Sequence, residues 1–136
     1  LQPHTEENEM SNPMQTHGAA SWIQHSGSDP AAARKFYERV ICWNVVDMPM
    51  ESGSAYAGIM VGEGPIGGFM PQPATDGAWT IYVTVDDVDT SYKSAIDEGA
   101  EGLSEPADFP GVGRIATIRD PFGASLALIT YESMQS

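Results

Sequence analysis

The chain is short of cysteine, of basic residues and of histidine, and each shortage removes a class of function. One cysteine, Cys42, among 136 residues leaves no internal disulfide and fits a reducing compartment, so a cytoplasmic location is expected. Six Lys and Arg stand against 19 Asp and Glu, a formal net charge of -13. Such a surface repels a phosphate backbone, so nucleic acid is not an expected partner. No apolar run approaches the roughly 18 residues of a membrane span, and no membrane partner is expected. Of three histidines, His4 and His17 lie in the N-terminal stretch, leaving His25 in the folded part. With one histidine in the folded part, no Ser-His-Asp arrangement is expected. Cys42 falls late in an expected helix, not at a helix N-terminus where its thiol would be activated. Gly62–Gly68 reads as a hairpin turn between strands, not as a phosphate loop leading into a helix.

What the chain does have is a repeat. Trp22-Ile-Gln-His-Ser-Gly-Ser-Asp29 reads as a strand running to an aspartate that opens a helix. Thr80-Ile-Tyr-Val-Thr-Val-Asp-Asp87 does the same 58 residues later. Pro30 suits the first helical position, and Ala33, Phe36, Tyr37, Val40 and Ile41 fall at helical spacing as an expected apolar face. Strands are expected at Trp43–Met48, stopped by Pro49, at Ser54–Met60 and at Ile66–Met70. Pro71–Gly77 reads as a linker. In the second copy, Ile81, Val83 and Val85 alternate with Thr80, Tyr82 and Thr84, the period of a strand with two different faces. Asp87 caps a helix with Val88, Tyr92, Ala95 and Ile96 buried, and Gly99 ends it. Strands follow at Gly102–Glu105, Arg114–Arg119 and Ser125–Thr130, with turns at Pro110–Gly113 and Asp120–Gly123. Residues 1–20, with two prolines and no Lys or Arg, read as a disordered or extended tail without the marks of a secretory signal. The chain begins at Leu1 with Met10 and Met14 close by, so the residues before Met10 are expected to be upstream or vector sequence.

Three motifs carry a resemblance. Asp29-Pro-Ala-Ala-Ala-Arg-Lys-Phe-Tyr37 followed by Trp43, Asp86-Asp-Val-Asp89 with Gly99-Ala100, and Asp120-Pro-Phe-Gly123 before a closing apolar strand resemble the glyoxalase/bleomycin-resistance/extradiol-dioxygenase superfamily, the vicinal oxygen chelate proteins. Gly64-Pro-Ile-Gly-Gly-Phe-Met70, Trp79–Val85 and Pro110-Gly-Val-Gly-Arg114 are similar to its "glyoxalase-like" branch. The resemblance spans Trp22 to Tyr131. It implies an α+β domain over 21–132, with two βαβββ modules at 21–70 and 78–132. These would form a cupped, mostly antiparallel eight-stranded sheet with helices on its outer face, often in a homodimer.

The resemblance also implies a divalent metal, held by a histidine seven residues before each capping Asp and a glutamate seven residues after the Asp of Asp-Pro-x-Gly. This chain has Trp22, Thr80 and Ala127 at those positions. Such side chains supply no strong donors, so no metal and no other cofactor is expected. His25 falls on the opposite strand face, as an expected hydrogen-bonded structural residue.

Strand alternation instead puts Trp22, Gln24 and Ser26 on one face, Thr80, Tyr82 and Thr84 on the matching face of the second copy, and Ser125 and Ala127 the same way on the last strand, with Tyr56 or a neighbour joining them. Arg114, after the Pro-Gly-Val-Gly turn, is a candidate to reach the mouth and meet an anion, the other reading being a solvated or salt-bridged arginine. Aromatic plates with a few neutral polar groups suit a planar or amphipathic organic ligand. The expected function is metal-independent small-molecule binding, with cationic or polar aromatic compounds steered by the acidic surface. The alternative is a lyase, isomerase or dioxygenase with a rebuilt active site.

Overall fold

A computed structural model describes residues 12–50 and 55–132. It has eight strands, mostly antiparallel, and two α-helices, the elements of two βαβββ modules. They fall into two units, Trp22–Ile81 and the described residues of Leu1–Ser21 with Tyr82–Ser136.

In the first unit, strand β1 (Ala20–Ser26) leads into helix α1 (Pro30–Val40). Asp29 caps α1 by accepting from the Ala32 amide, and Pro30 occupies the position where a missing N–H costs nothing. Strands β2 (Asn44–Pro49), β3 (Ala55–Val61) and β4 (Gly64–Phe69) complete the module. The order is β2-β3-β4-β1, with β1 parallel to β4 and the other pairs antiparallel. Pro49 closes β2 from within, which an end residue of a one-sided strand tolerates.

Register fixes two different faces. His25, Phe69 and Ala57 align on the face beneath α1, where Ala33 and Tyr37 pack on Val45, Ile59 and Phe69. The expected apolar face of α1 is therefore too wide: Ala33 and Tyr37 point inward, whereas Phe36 is 55% and Val40 61% exposed. His25 lies within a ring of aromatics, 5.4 Å from Phe69, 5.0 Å from Trp79 and 5.9 Å from Tyr37. It is structural, as expected, but not hydrogen-bonded at Nδ1, which is buried without a partner. The aromatic side chains around it present edges and faces rather than acceptors.

That burial holds the imidazole below its ordinary value of 6.5. A depressed histidine is neutral in the native state and protonates more readily when unfolded. Its contribution to stability is thus complete above about pH 6.5 and declines as pH falls from there through the native value. Urea titrations of the wild type and His25→Phe should show a stability difference that shifts against the wild type between neutral pH and pH 5. A pH-independent difference would refute the assignment.

The second unit repeats the scheme with strand β5 (Ala78–Thr84), helix α2 (Val88–Asp97), and strands β6 (Glu101–Phe109), β7 (Gly113–Arg119) and β8 (Ser125–Tyr131). The order is β5-β8-β7-β6, with β5 parallel to β8. Asp87 caps α2, and Gly99, at φ +104°, terminates it as expected. Val85, Val88, Ala116 and Leu128 form the core with Tyr92 and Leu126. Ile96, expected in the buried stripe, is partly exposed. Strand β6 runs through Pro106 with two register shifts, beyond the expected Gly102–Glu105; an edge strand accepts a proline and bulges that a central one would not.

Of the expected tail, the residues from Asn12 onward are described. Asn12 accepts from the Met14 amide and starts a single 3-10 turn, Pro13–Gln15. Gly18 donates to the Thr84 carbonyl, Ala19 accepts from the Thr84 amide, and His17 Nδ1 accepts from the Asp86 amide. The stretch supplies partners for the exposed backbone at the end of β5, a role that composition does not reveal. The expectation about residues before Met10 lies outside the described residues.

Candidate ligand site

On the face of the first unit away from α1, Gln24, Gly68 and Gly58 align across β1, β4 and β3. The two glycines are what shape this face. A side chain at Gly58 would overlap Met48, and one at Gly68 would overlap the ring of Tyr56. Both neighbours can therefore lie flat across the sheet. Trp22 stacks on Tyr56 with ring centroids 6.3 Å apart and planes 29° from parallel. The Trp22 indole N–H donates to Tyr56 Oη at 3.3 Å, and the Tyr56 hydroxyl donates to Gln24 Oε1 at 2.7 Å. Three expected site residues are thus brought together as one hydrogen-bonded plate. Thr80 alternates with Trp79, which packs on the core beneath α1, and so points to the side away from that core.

In the second unit, Tyr82 and Thr84 align with Ala127 and Ile129 of β8, on the face away from α2. Ala127 is fully buried. Burial pushes the Tyr82 phenol above its ordinary range, with neighbouring Tyr131 adding to the rise. Tyr131 Oη lies 2.8 Å from Ser21 Oγ, Ser21 Oγ 2.8 Å from Thr84 Oγ1, and Thr84 Oγ1 2.8 Å from the Pro13 carbonyl oxygen. Sequence reading placed Thr84 on this face with Tyr82 but missed Ser21 and Tyr131 as its companions. Alternation past Ala127 and Ile129 could have flagged Tyr131; nothing local points to Ser21, 110 residues away.

Arg114 goes elsewhere. It alternates into the helix-bearing face beside Ala116, bonds both carboxylate oxygens of Asp89 at 3.0 Å, and reaches Asp108 at 2.9 Å. These carboxylates hold its guanidinium above its ordinary range. This is the salt-bridged arginine of the other reading, held by two carboxylate partners.

A groove of about 430 Å³ in the first unit lies beside α1, not on the plate, between Pro30, Arg34, Glu38, Asp47, Ala57 and Phe69. Arg34 is consumed there by Glu38, Asp47 and the Val45 carbonyl. Among the described residues, no three His, Cys, Asp or Glu side chains are placed to hold a metal ion. Trp22, Thr80 and Ala127, at the positions where the resemblance implies ligands, do not fit a divalent cation, which needs several N, O or S donors within about 2.0–2.6 Å. No helix among the described residues is long and apolar enough to cross a membrane.

Comparison with known proteins bears on this geometry. The family model described as Glyoxalase/Bleomycin resistance protein/Dioxygenase superfamily matches residues 20–128. A Mycobacterium bovis protein named "Putative glyoxylase CFP32" is 33% identical over 114 residues, covering 82% of this chain and 44% of its own length. The anthracycline biosynthesis protein DnrV of Streptomyces peucetius is 28% identical over 127 residues, covering 82% of this chain and 46% of its own. The chain thus spans less than half the length of these relatives. Among solved structures, Streptomyces coelicolor methylmalonyl-CoA epimerase superposes with a TM-score of 0.61 at 19% identity, over 89% of this chain and 99% of that one. At that identity the likeness concerns the fold.

Proposed function

The chain belongs to the Glyoxalase/Bleomycin resistance protein/Dioxygenase superfamily, and from this premise we propose that it binds a planar, amphipathic organic molecule without the help of a metal. The observation that carries the proposal is the Trp22–Tyr56–Gln24 plate: two stacked rings tied by hydrogen bonds on a glycine floor, on the face that α1 leaves uncovered. Pre-linked rings lose little conformational freedom when a flat guest stacks on them, so their contact area converts well into affinity. The net charge of -13 raises the local concentration of cationic guests. Two relatives carry names tied to anthracycline biosynthesis, which agrees with a fused-ring aromatic guest. Binding to a cytoplasmic homodimer belongs to the same reading.

An enzymatic role is the second reading, favoured by the glyoxylase name of the 33% identical relative. It ranks lower because Arg114, the strongest candidate for polarising a substrate, is held by Asp89 and Asp108.

Titration with a fused-ring aromatic amine such as 9-aminoacridine should quench Trp emission and saturate. Trp22→Ala should weaken that binding about tenfold or more, the value of one lost stacking surface at roughly 1–3 kcal/mol. Absence of saturable quenching by planar aromatics of either charge would defeat the proposal.

A further inference from the structure

The chain has six Lys and Arg residues, and among the described residues most of them are spent on carboxylates. Arg34 pairs with Glu38 and Asp47, Lys93 with Asp97, Arg114 with Asp89 and Asp108, and Arg119 with Glu101. Lys35 and Arg39 remain. Both are exposed, and among the described residues neither side chain has an ion-pair or hydrogen-bond partner. They stand one turn apart on α1 and so form a cationic ridge along it. An apolar ridge runs beside it: Phe36 and Val40, also one turn apart, are 55% and 61% exposed, and Ile41 extends them at 49%. The inward positions of the helix belong to Ala33 and Tyr37, so packing of the first unit does not account for this ridge. Helix propensity does not either, because alanine is a better helix former than phenylalanine or valine.

We propose that this outer face of α1 docks an acidic amphipathic segment of a partner protein, which sets Asp or Glu against Lys35 and Arg39 and apolar side chains against Phe36 and Val40. Charge complementarity selects the occupant. On a chain of net charge -13, two uncommitted cations beside exposed apolar side chains mark a place where an acidic partner is attracted rather than repelled. A symmetric pairing of two copies through α1 would bring their cationic ridges into one interface. The one carboxylate on the helix, Glu38, is already held by Arg34. An anionic membrane would attract the ridge but repel the rest of the chain. The surface lies on the opposite side of the first unit's sheet from the Trp22–Tyr56–Gln24 plate, so the inference goes beyond the ligand-binding proposal and does not rest on it.

The test titrates isotope-labelled protein at low salt with a capped helical peptide of leucine, glutamate and alanine whose leucines lie one turn apart. Saturable amide shifts in NMR spectra should centre on Lys35, Phe36, Arg39 and Val40. Joint replacement Phe36→Ala and Val40→Ala should weaken the peptide about tenfold or more, as loss of interface anchors does. The melting temperature of that variant should hold or rise, since alanine favours the helix. A fall in melting temperature with binding unchanged would show that the ridge serves the fold, and would overturn the proposal. Joint replacement Lys35→Glu and Arg39→Glu should remove binding of this peptide and confer binding of its leucine–lysine counterpart at the same face. Absence of saturable shifts, or shifts confined to other elements, also overturns the proposal. So does binding of the wild type to phosphatidylserine vesicles in place of the peptide, or self-association in sedimentation that Lys35→Glu abolishes, since either result gives the face a different occupant. Each of these outcomes leaves the ligand-binding reading intact.

Discussion

Replacing Phe69 with alanine is expected to cost about 3–5 kcal/mol, the largest single-site loss in the chain. Phe69 is 2% exposed and sits among the aromatic rings beneath α1. Its ring centroid lies 5.4 Å from His25, 6.2 Å from Tyr37 and 6.1 Å from Trp79, and it packs with Val45 and Ile59. These neighbours are large and rigid, and Trp79 and Tyr37 are tied by an indole hydrogen bond of 3.3 Å. Rings so constrained do not collapse into the space that a phenyl group leaves. A full cavity term is thus added to the lost transfer energy. The melting temperature should fall by on the order of 10–25 °C, and the urea midpoint should move without a change in slope. Phe122→Ala is the control: the same residue type at 91% exposure in the Asp-Pro-Phe-Gly turn, expected within about 0.5 kcal/mol of the wild type. A Phe69→Ala cost below about 1.5 kcal/mol would mean that the aromatic cluster is loosely packed, and the picture of His25 caged among rings would go with it.

The contrast between these two phenylalanines shows what could be read without coordinates. Capping aspartates, the prolines after them, Gly99 and period-two alternation act locally, so both helices and the repeated module order were legible from residues a few positions apart. The outer limit of each buried face was not. Phe36 and Val40 satisfy helical spacing as well as Ala33 and Tyr37 do, and only packing on Phe69 and Ile59 separates the two pairs. The site shows the same division. Alternation correctly placed Trp22 and Gln24 on a face with Tyr56, because parity is a property of one strand. For Arg114 spacing left two readings open, an anion at the cavity mouth or a salt bridge, and it could not name the partners for the complementary reason. Its two carboxylate partners come from α2 and β6, and pairing between elements leaves no trace in spacing. The chain from Tyr131 to Ser21, Thr84 and Pro13 is the extreme case, since it joins residues from both ends of the sequence.

The second large effect concerns the glycine floor. Gly68→Ala is expected to destabilise the protein by about 1–3 kcal/mol, the usual penalty of overpacking, and to weaken binding of a planar guest about tenfold or more, as loss of a stacking surface does. Alanine is a better strand residue than glycine, so propensity alone predicts the opposite sign. The penalty arises because the new methyl group would fall inside the Tyr56 ring. Tyr56 must then lift off β4, which breaks its 2.7 Å hydrogen bond to Gln24 and its stacking on Trp22. A double-mutant cycle separates this from any general distortion of the strand. In a Tyr56→Ala background the obstructing ring is gone, so Gly68→Ala should become neutral or stabilising. The coupling between the two positions should be about 1–3 kcal/mol. Additive effects would show that Gly68 is needed for backbone reasons unrelated to Tyr56. The Trp22–Tyr56–Gln24 plate would then lose its floor, and with it the reason to regard this face as shaped for a flat ligand.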